Sequence, residues 1–188
     1  PVICHDPDAS RVFGVSERIA DIAFGELRKR LPRIPTLAEM IAEFGGNTHL
    51  MLELKAEPFT SPGRQRQTLR EQLAGLEPCR DYHILALDTD VFELVDFLPP
   101  ETLFPVAETN VRAMSEASLQ HGYGGIGGHY LLLGERLRRR HAAHGQRLGT
   151  GFPNSRNCLF REINRGIEWV FTNDAVALQA ILDECLNP

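Results

Sequence analysis

Residues 49–55 read HLMLELK. Side chains alternate along a strand, so residues two apart share a face. Leu52 and Leu54 then point one way, and Glu53 and Lys55 the other. A leucine face suits a sheet covered by helices, which leaves Glu53 and Lys55 directed to the interior, near the top of their strand. Buried charge is costly unless it is paired or bound to a metal. Two chemistries fit the spacing: an internal ion pair, or a hard-cation carboxylate ligand beside a phosphate-binding lysine.

Outward from this stretch the same pattern recurs. HILALD (83–88), TLFPVAE (102–108), the glycine-rich GGIGGHYLLL (124–133), QRLGTGF (146–152) and IEWVFTN (167–173) have the length and apolar content of strands, and VICH (2–5) reads as a strand end. Helical patterns fall between them. IPTLAEMIAEFG (34–45) has Pro35 at its start, Thr36 as a cap with Glu39 three residues on, and Gly45 as its stop. SPGRQRQTLREQLAGL (61–76), DVFELVDFL (90–98), NVRAMSEASLQHG (110–122), ERLRRRHAAHG (135–145), SRNCLFREINRG (155–166) and DAVALQAILDECL (174–186) read likewise, with Gly122 and Gly145 as C-terminal stops. Repeated βα units predict a parallel sheet, either a (β/α)8 barrel or an open doubly wound fold. A full barrel takes about 250 residues, and this chain has 188. The expectation is therefore one α/β domain over 1–188, a TIM barrel lacking roughly its first strand, first helix and the start of its second strand.

A hydrophobic fraction of 43% is that of an ordinary globular domain, and a net charge of −5 gives no general attraction to nucleic acid or anionic membranes. No apolar run approaches the length of a membrane span, so no stable membrane insertion is expected. Cys4, Cys79, Cys158 and Cys185 are far apart and lack C-x-x-C spacing. Buried or half-buried free thiols are expected, which favours a reducing, cytoplasmic compartment, with a periplasmic or secreted one left open. Nothing in the sequence specifies the oligomeric state.

The chain opens with PVICHDPDASR. A histidine at the C-terminal end of a parallel strand sits where barrel active sites lie, which makes His5 a proton-transfer candidate. Asp6 could fix its tautomer or cap the following turn, and Arg11 is either solvated or anion-binding.

PVICHDPDASR resembles the HD-x4-R segment of the glycerophosphodiester phosphodiesterase family. IADIAFGELRKRLPRIPTLAEMI (19–41) is similar to the family's next stretch, HLMLELK to its E-x-K strand, and FTND (171–174) to its terminal strand end. The resemblance implies a barrel fold and metal-dependent hydrolysis of glycerophosphodiesters to glycerol 3-phosphate and an alcohol, on a small-molecule phosphodiester substrate. It implies His5 as an acid/base histidine, Glu53 as a ligand to Mg2+ or Ca2+, and Lys55 near the phosphate. Arg11 is taken as a further substrate-binding candidate, and Phe152 is either core or a hydrophobic wall for the alcohol part of the substrate. The family's His-Arg-Gly and Glu-x-Asp motifs are not in these 188 residues and would lie before Pro1, with the natural start expected roughly 40–60 residues earlier. GTGFPN (149–154) stands where W-T-V-N is usual, with Thr150 at the threonine, and Thr172-Asn173 stands where Thr-Asp is usual. These departures leave open a non-catalytic or degenerate barrel that binds phosphorylated ligands, and a related phospholipase-like phosphodiesterase.

Other candidates have plainer roles. Glu108 ends a strand, where exposure or capping accounts for it. The spacing of GGIGG (124–128) is not a dinucleotide fingerprint, and close backbone approach explains its glycines better; His129 follows it near the mouth. His141 and His144 precede Gly145, where cationic side chains favour a helix end. Arg136, Arg138, Arg139 and Arg140 read as a solvated face, and Trp169 as core.

Overall fold

The computed structural model describes residues 1–57 and 61–186. They fall into two compact units: Pro1–Leu50 with Glu57–Tyr82, and Met51–Ala56 with His83 to the C-terminus.

In the first unit, β1 (Asp8–Ala9), α1 (Ser10–Phe13) and β2 (Val15–Arg18) form a small antiparallel hairpin. Gly14, at φ 70°, ends α1 in the left-handed conformation that glycine adopts without steric cost. Next come α2 (Phe24–Arg30), α3 (Leu37–Phe44) and, after a stretch that belongs to the other unit, α4 (Pro62–Leu73). The cap expected at Thr36 is a complete capping box: its Oγ1 accepts the Glu39 N–H and the Glu39 carboxylate accepts the Thr36 N–H. Ala9, Leu27, Leu31 and Ile34 make the core, with Val2, Cys4 and Phe13 against it. The expected strand VICH does not form. Its backbone is taken by the IPTL stretch instead: the Ile3 N–H donates to the Pro35 carbonyl (2.8 Å) and the Leu37 N–H to the Pro1 carbonyl (3.1 Å), around an isolated antiparallel bridge of Val2 with Thr36. PVICHD and IPTL, which carry the resemblance together, are thus physically paired.

The second unit is built on β3 (Leu50–Glu53), β4 (Tyr82–Ala86), β5 (Leu103–Ala107), β6 (Gly125–His129), β7 (Arg147–Gly151) and β8 (Trp169–Phe171). They form one sheet in strictly sequential order. The four ladders from β4 to β8 are parallel, and the β3–β4 backbone bonds, Leu50 N–H to Asp81 O and Leu54 N–H to Leu85 O, advance together along both strands as a parallel pair requires. Among the described residues β3 and β8 are the sheet's edges. The helices are α5 (Val111–His121), α6 (Glu135–Ala142), α7 (Arg156–Asn164) and α8 (Ala175–Leu186). Gly122 stops α5 at φ 68°. The helix expected at 90–98 is a 3₁₀ segment, Thr89–Val95, capped by the Asp88 carboxylate.

One sheet face packs on helices. Ala107, Ile126 and Leu148 meet Met114 of α5, with Leu133 and Ile167, and Leu137 of α6 packs against them; each buried leucine or isoleucine among them contributes about 1.5–3 kcal/mol. The other face is concave. His83 of β4 and Trp169 of β8 are four strand spacings apart, about 19 Å on a flat sheet, yet their ring centroids lie 4.5 Å apart. Phe104 of β5 touches both, at 6.5 and 4.8 Å. Curling this far leaves no room for side chains beside the rings. A Cβ on Gly125 would stand 2.6 Å from the Phe104 ring and 1.9 Å from the Arg147 carbonyl oxygen, and one on Gly149 would stand 2.5 Å from the Phe171 ring. Close approach is therefore the reason for the glycines, as expected. Among the described residues no helix is long and apolar enough to cross a membrane.

Candidate active site

The first unit carries His5, Asp6 and Arg11. From Val2 to Asp8 the chain alternates half-buried and exposed positions, so Cys4 packs inward and His5 outward. His5 Nδ1 lies 2.6 Å from Asp6 Oδ1. An ionised carboxylate only accepts, so Nδ1 carries a proton, and in the neutral imidazole Nε2 carries the lone pair. The His5 side chain is 80% exposed, which gives Nε2 to solvent, whereas Asp6 is 24% exposed. Arg11 Nε donates to Asp6 Oδ2 at 2.6 Å. The Arg11 hydrogen bond, followed by that of His5, holds the Asp6 carboxyl down at about 2. The sequence placed His5 at a strand end; the structure places it in an extended loop, with its orientation set by Asp6. Arg11, expected at the substrate, is spent in part on Asp6.

The second unit carries Glu53, Lys55 and Phe152. Lys55 Nζ donates to Glu53 Oε1 at 2.6 Å, so the two share a face as alternation requires. The Lys55 and Glu53 side chains are 37% and 34% exposed, and such a pair contributes little to stability. Hard cations take six to eight oxygen ligands. Among the described residues no three His, Cys, Asp or Glu side chains gather to hold a metal ion, and Glu53 is already bound by an ammonium. This donor set does not fit a divalent cation.

Phe152 follows β7. Leu148 and Thr150 lie on the helix-covered face in register with Ile126 and with Gly128 and Val170, so the threonine matched to the family's site is buried on the far side of the sheet. Simple alternation would send Phe152 the same way. It instead adopts φ 68°, which costs a non-glycine residue about 1–3 kcal/mol. Its N–H donates to the Phe171 carbonyl at 2.7 Å. The turn brings its ring 5.7 Å from that of His129 on β6. His129 Nδ1 accepts the Leu131 N–H at 3.2 Å and its ring stacks on Tyr130 at 4.7 Å. Arg161 of α7 lies 4.6 Å over Tyr130. Phe152, His129 and Tyr130 thus form an aromatic rim at the C-terminal ends of β6 and β7. The two sequence departures are joined there: Thr172 Oγ1 donates to Asn154 Oδ1 at 2.7 Å and accepts the Asp174 N–H at 3.1 Å. Glu108 is exposed at the end of β5.

His141 corrects an expectation. It is no cationic helix cap but a fully buried residue. Gln146 Nε2 donates to the carbonyls of Ser118 and Tyr123, which turns its Oε1 to His141 Nδ1 at 2.7 Å; His141 Nε2 then accepts from Ser115 Oγ at 2.8 Å. Burial pushes its pKa below the usual imidazole value. The sequence signal was its i+4 spacing from Leu137, which puts it on the packed face of α6. All four cysteines are free, and Cys185 is exposed rather than buried.

No family model and no curated relative matches the sequence. Solved structures match over nearly the whole chain. A glycerophosphodiester phosphodiesterase from Parabacteroides distasonis is 18% identical, with 99% of this chain and 79% of that one covered and a TM-score of 0.73. An Oleispira antarctica phosphodiesterase, solved with the product sn-glycerol-3-phosphate, is 19% identical over 97% of this chain and 79% of its own, also at 0.73. The chain has the α/β fold of these phosphodiesterases, with its curled parallel sheet as part of their barrel.

Proposed function

We propose that this chain is a phosphodiesterase that hydrolyses glycerophosphodiesters to glycerol 3-phosphate and an alcohol. The observation that carries this reading is the His5–Asp6 pair, an imidazole with a fixed Nδ1 proton and a solvent-facing Nε2 lone pair. Such a group takes a proton from attacking water and returns it to a leaving alkoxide. In the other unit, taken by itself, the resemblance assigns Lys55 to phosphate binding, and Glu53 sets its position. Phe152 and the aromatic rim offer an apolar wall to the alcohol. The likeness in fold to phosphodiesterases, one of them binding sn-glycerol-3-phosphate, supports the substrate class. No step is assigned to a metal ion, because the donor set around Glu53 does not fit one.

That same pairing of Glu53 with Lys55 favours a second reading, a barrel that binds phosphorylated ligands without turning them over. Glycerophosphocholine followed by phosphorus NMR separates the two. Appearance of glycerol 3-phosphate supports the hydrolase. A perturbed diester resonance with no product over days supports the binding protein.

A further inference from the structure

We propose that Arg11 is a positioning residue for His5, holding Oδ2 of Asp6 so that Oδ1 fixes the imidazole in its Nδ1-protonated form. Any effect of Arg11 on turnover rests on the phosphodiesterase reading; the positioning itself does not.

The geometry is a chain of two short bonds, Arg11 Nε to Asp6 Oδ2 and Asp6 Oδ1 to His5 Nδ1, each 2.6 Å. A carboxylate bonded through one oxygen can swing about its χ2 angle, which is a soft torsion. Held at both oxygens it cannot, and the plane of the carboxylate then dictates where the imidazole stands. Arg11 is itself placed by the hairpin. Ala9 is sunk into the core beside Leu27 and Leu31, and the Asp8 carboxylate accepts both the N–H and the hydroxyl of Ser10. Gly14 closes α1 directly behind. The backbone from Asp8 to Gly14 is therefore anchored, and the guanidinium reaches back five residues to Asp6.

Arginine suits this role better than lysine, because its donors lie in one rigid plane, whereas an ammonium is a point charge on a flexible stem. Its charge also favours the ionised form of Asp6. An arginine that bound substrate phosphate would act differently: its loss would weaken binding and leave the imidazole as it was.

The test reads the imidazole directly. The chain is labelled with nitrogen-15 in its histidines, and His5 is assigned by its disappearance in His5→Gln. Spectra are taken at about pH 8.5, above the ordinary imidazole range. Wild type is expected to show a protonated Nδ1 and an unprotonated Nε2. Arg11→Gln is expected to mix the two tautomers, Arg11→Lys to restore the wild-type pattern in part, and Asp6→Asn, which breaks the chain at its middle, to mix them as Arg11→Gln does. With glycerophosphocholine, Arg11→Gln lowers kcat about tenfold, part of the 10²–10⁴ that positioned proton transfer supplies, and moves KM by less than about twofold. An unchanged His5 spectrum in Arg11→Gln overturns the proposal, as does a raised KM with kcat intact. Tautomer mixing in Arg11→Gln, with no diester hydrolysed even by wild type, upholds the positioning and removes the phosphodiesterase reading.

Discussion

His5 and His141 are bonded alike and differ in what covers them. Each has its Nδ1 proton held by an oxygen acceptor, Asp6 Oδ1 at 2.6 Å for one and Gln146 Oε1 at 2.7 Å for the other. At His141 the remaining lone pair is spent on Ser115 inside a fully buried network between α5 and α6. At His5 it faces water. The first arrangement has nothing left to offer a substrate and contributes to stability. The second contributes little to stability and keeps a proton acceptor ready. Residue type and local hydrogen bonding are shared; burial of the second nitrogen decides between structure and chemistry.

The two histidines should differ most in stability. His141→Ala leaves the Ser115 hydroxyl and the Gln146 carbonyl oxygen buried without their partner, beside a cavity, and should lower the unfolding free energy by about 3 kcal/mol. His5→Ala should move it by no more than about 0.5 kcal/mol, as at other exposed sites. Urea denaturation measures both, and equal losses would erase the distinction.

The concave face belongs with His141 as a packed region. Gly149→Ala drives a Cβ into the Phe171 ring and should cost about 2 kcal/mol. The rim belongs with His5 as a region that accepts a cost. Phe152→Gly relieves a left-handed backbone and should raise stability by about 1 kcal/mol while weakening binding of apolar diesters. A loss of stability in thermal melts of Phe152→Gly would show that the ring is held for packing.

The two histidine sites also separate by pH. The folded pKa of His141 lies below its unfolded value of about 6.5, so below that value the unfolded chain binds more protons. Stability conferred by the neutral form is complete above about pH 6.5 and declines on acidification toward the folded pKa. His141→Gln should flatten this slope in denaturation midpoints taken from pH 7.5 to pH 5. Asp6, held at about 2 against 3.8, contributes above about pH 3.8 and loses its contribution as pH falls toward 2. Asp6→Asn should therefore lower stability by a constant amount above about pH 3.8 and flatten the slope at the acid end. The smallest effect concerns metal. Calcium or magnesium titrated into the chain should show no site tighter than about 1 mM, the weak end of protein calcium sites. A tighter site lost in Glu53→Gln would restore that residue as a ligand.

The sheet is legible in the sequence because its code is local. Strand alternation puts Glu53 and Lys55 on one face, the Thr36–Glu39 spacing gives the α3 cap, and the glycines of GGIGG signal the close approach that the Phe104 ring enforces. What escapes the sequence depends on contacts between segments. VICH has the composition of a strand, but its partners are Pro35 and Leu37 rather than a parallel neighbour. Residues 6–33 show no pattern for β1, α1 and β2, because these elements are too short to display a period. The Arg11–Asp6 bond spans a loop, where a five-residue spacing specifies no geometry. His141 is masked by the basic run around it, although its spacing from Leu137 marks the packed face. Phe152 stands out by its place beyond β7, but its left-handed turn toward His129 has no sequence signature in a phenylalanine.

The most direct test of His5 as the proton-transfer group is turnover of glycerophosphocholine by wild type and His5→Ala, with the unfolding free energy of each measured alongside. His5→Ala should lower kcat at least about 100-fold while the two proteins unfold within about 0.5 kcal/mol of each other. Equal turnover by the two proteins would contradict that role.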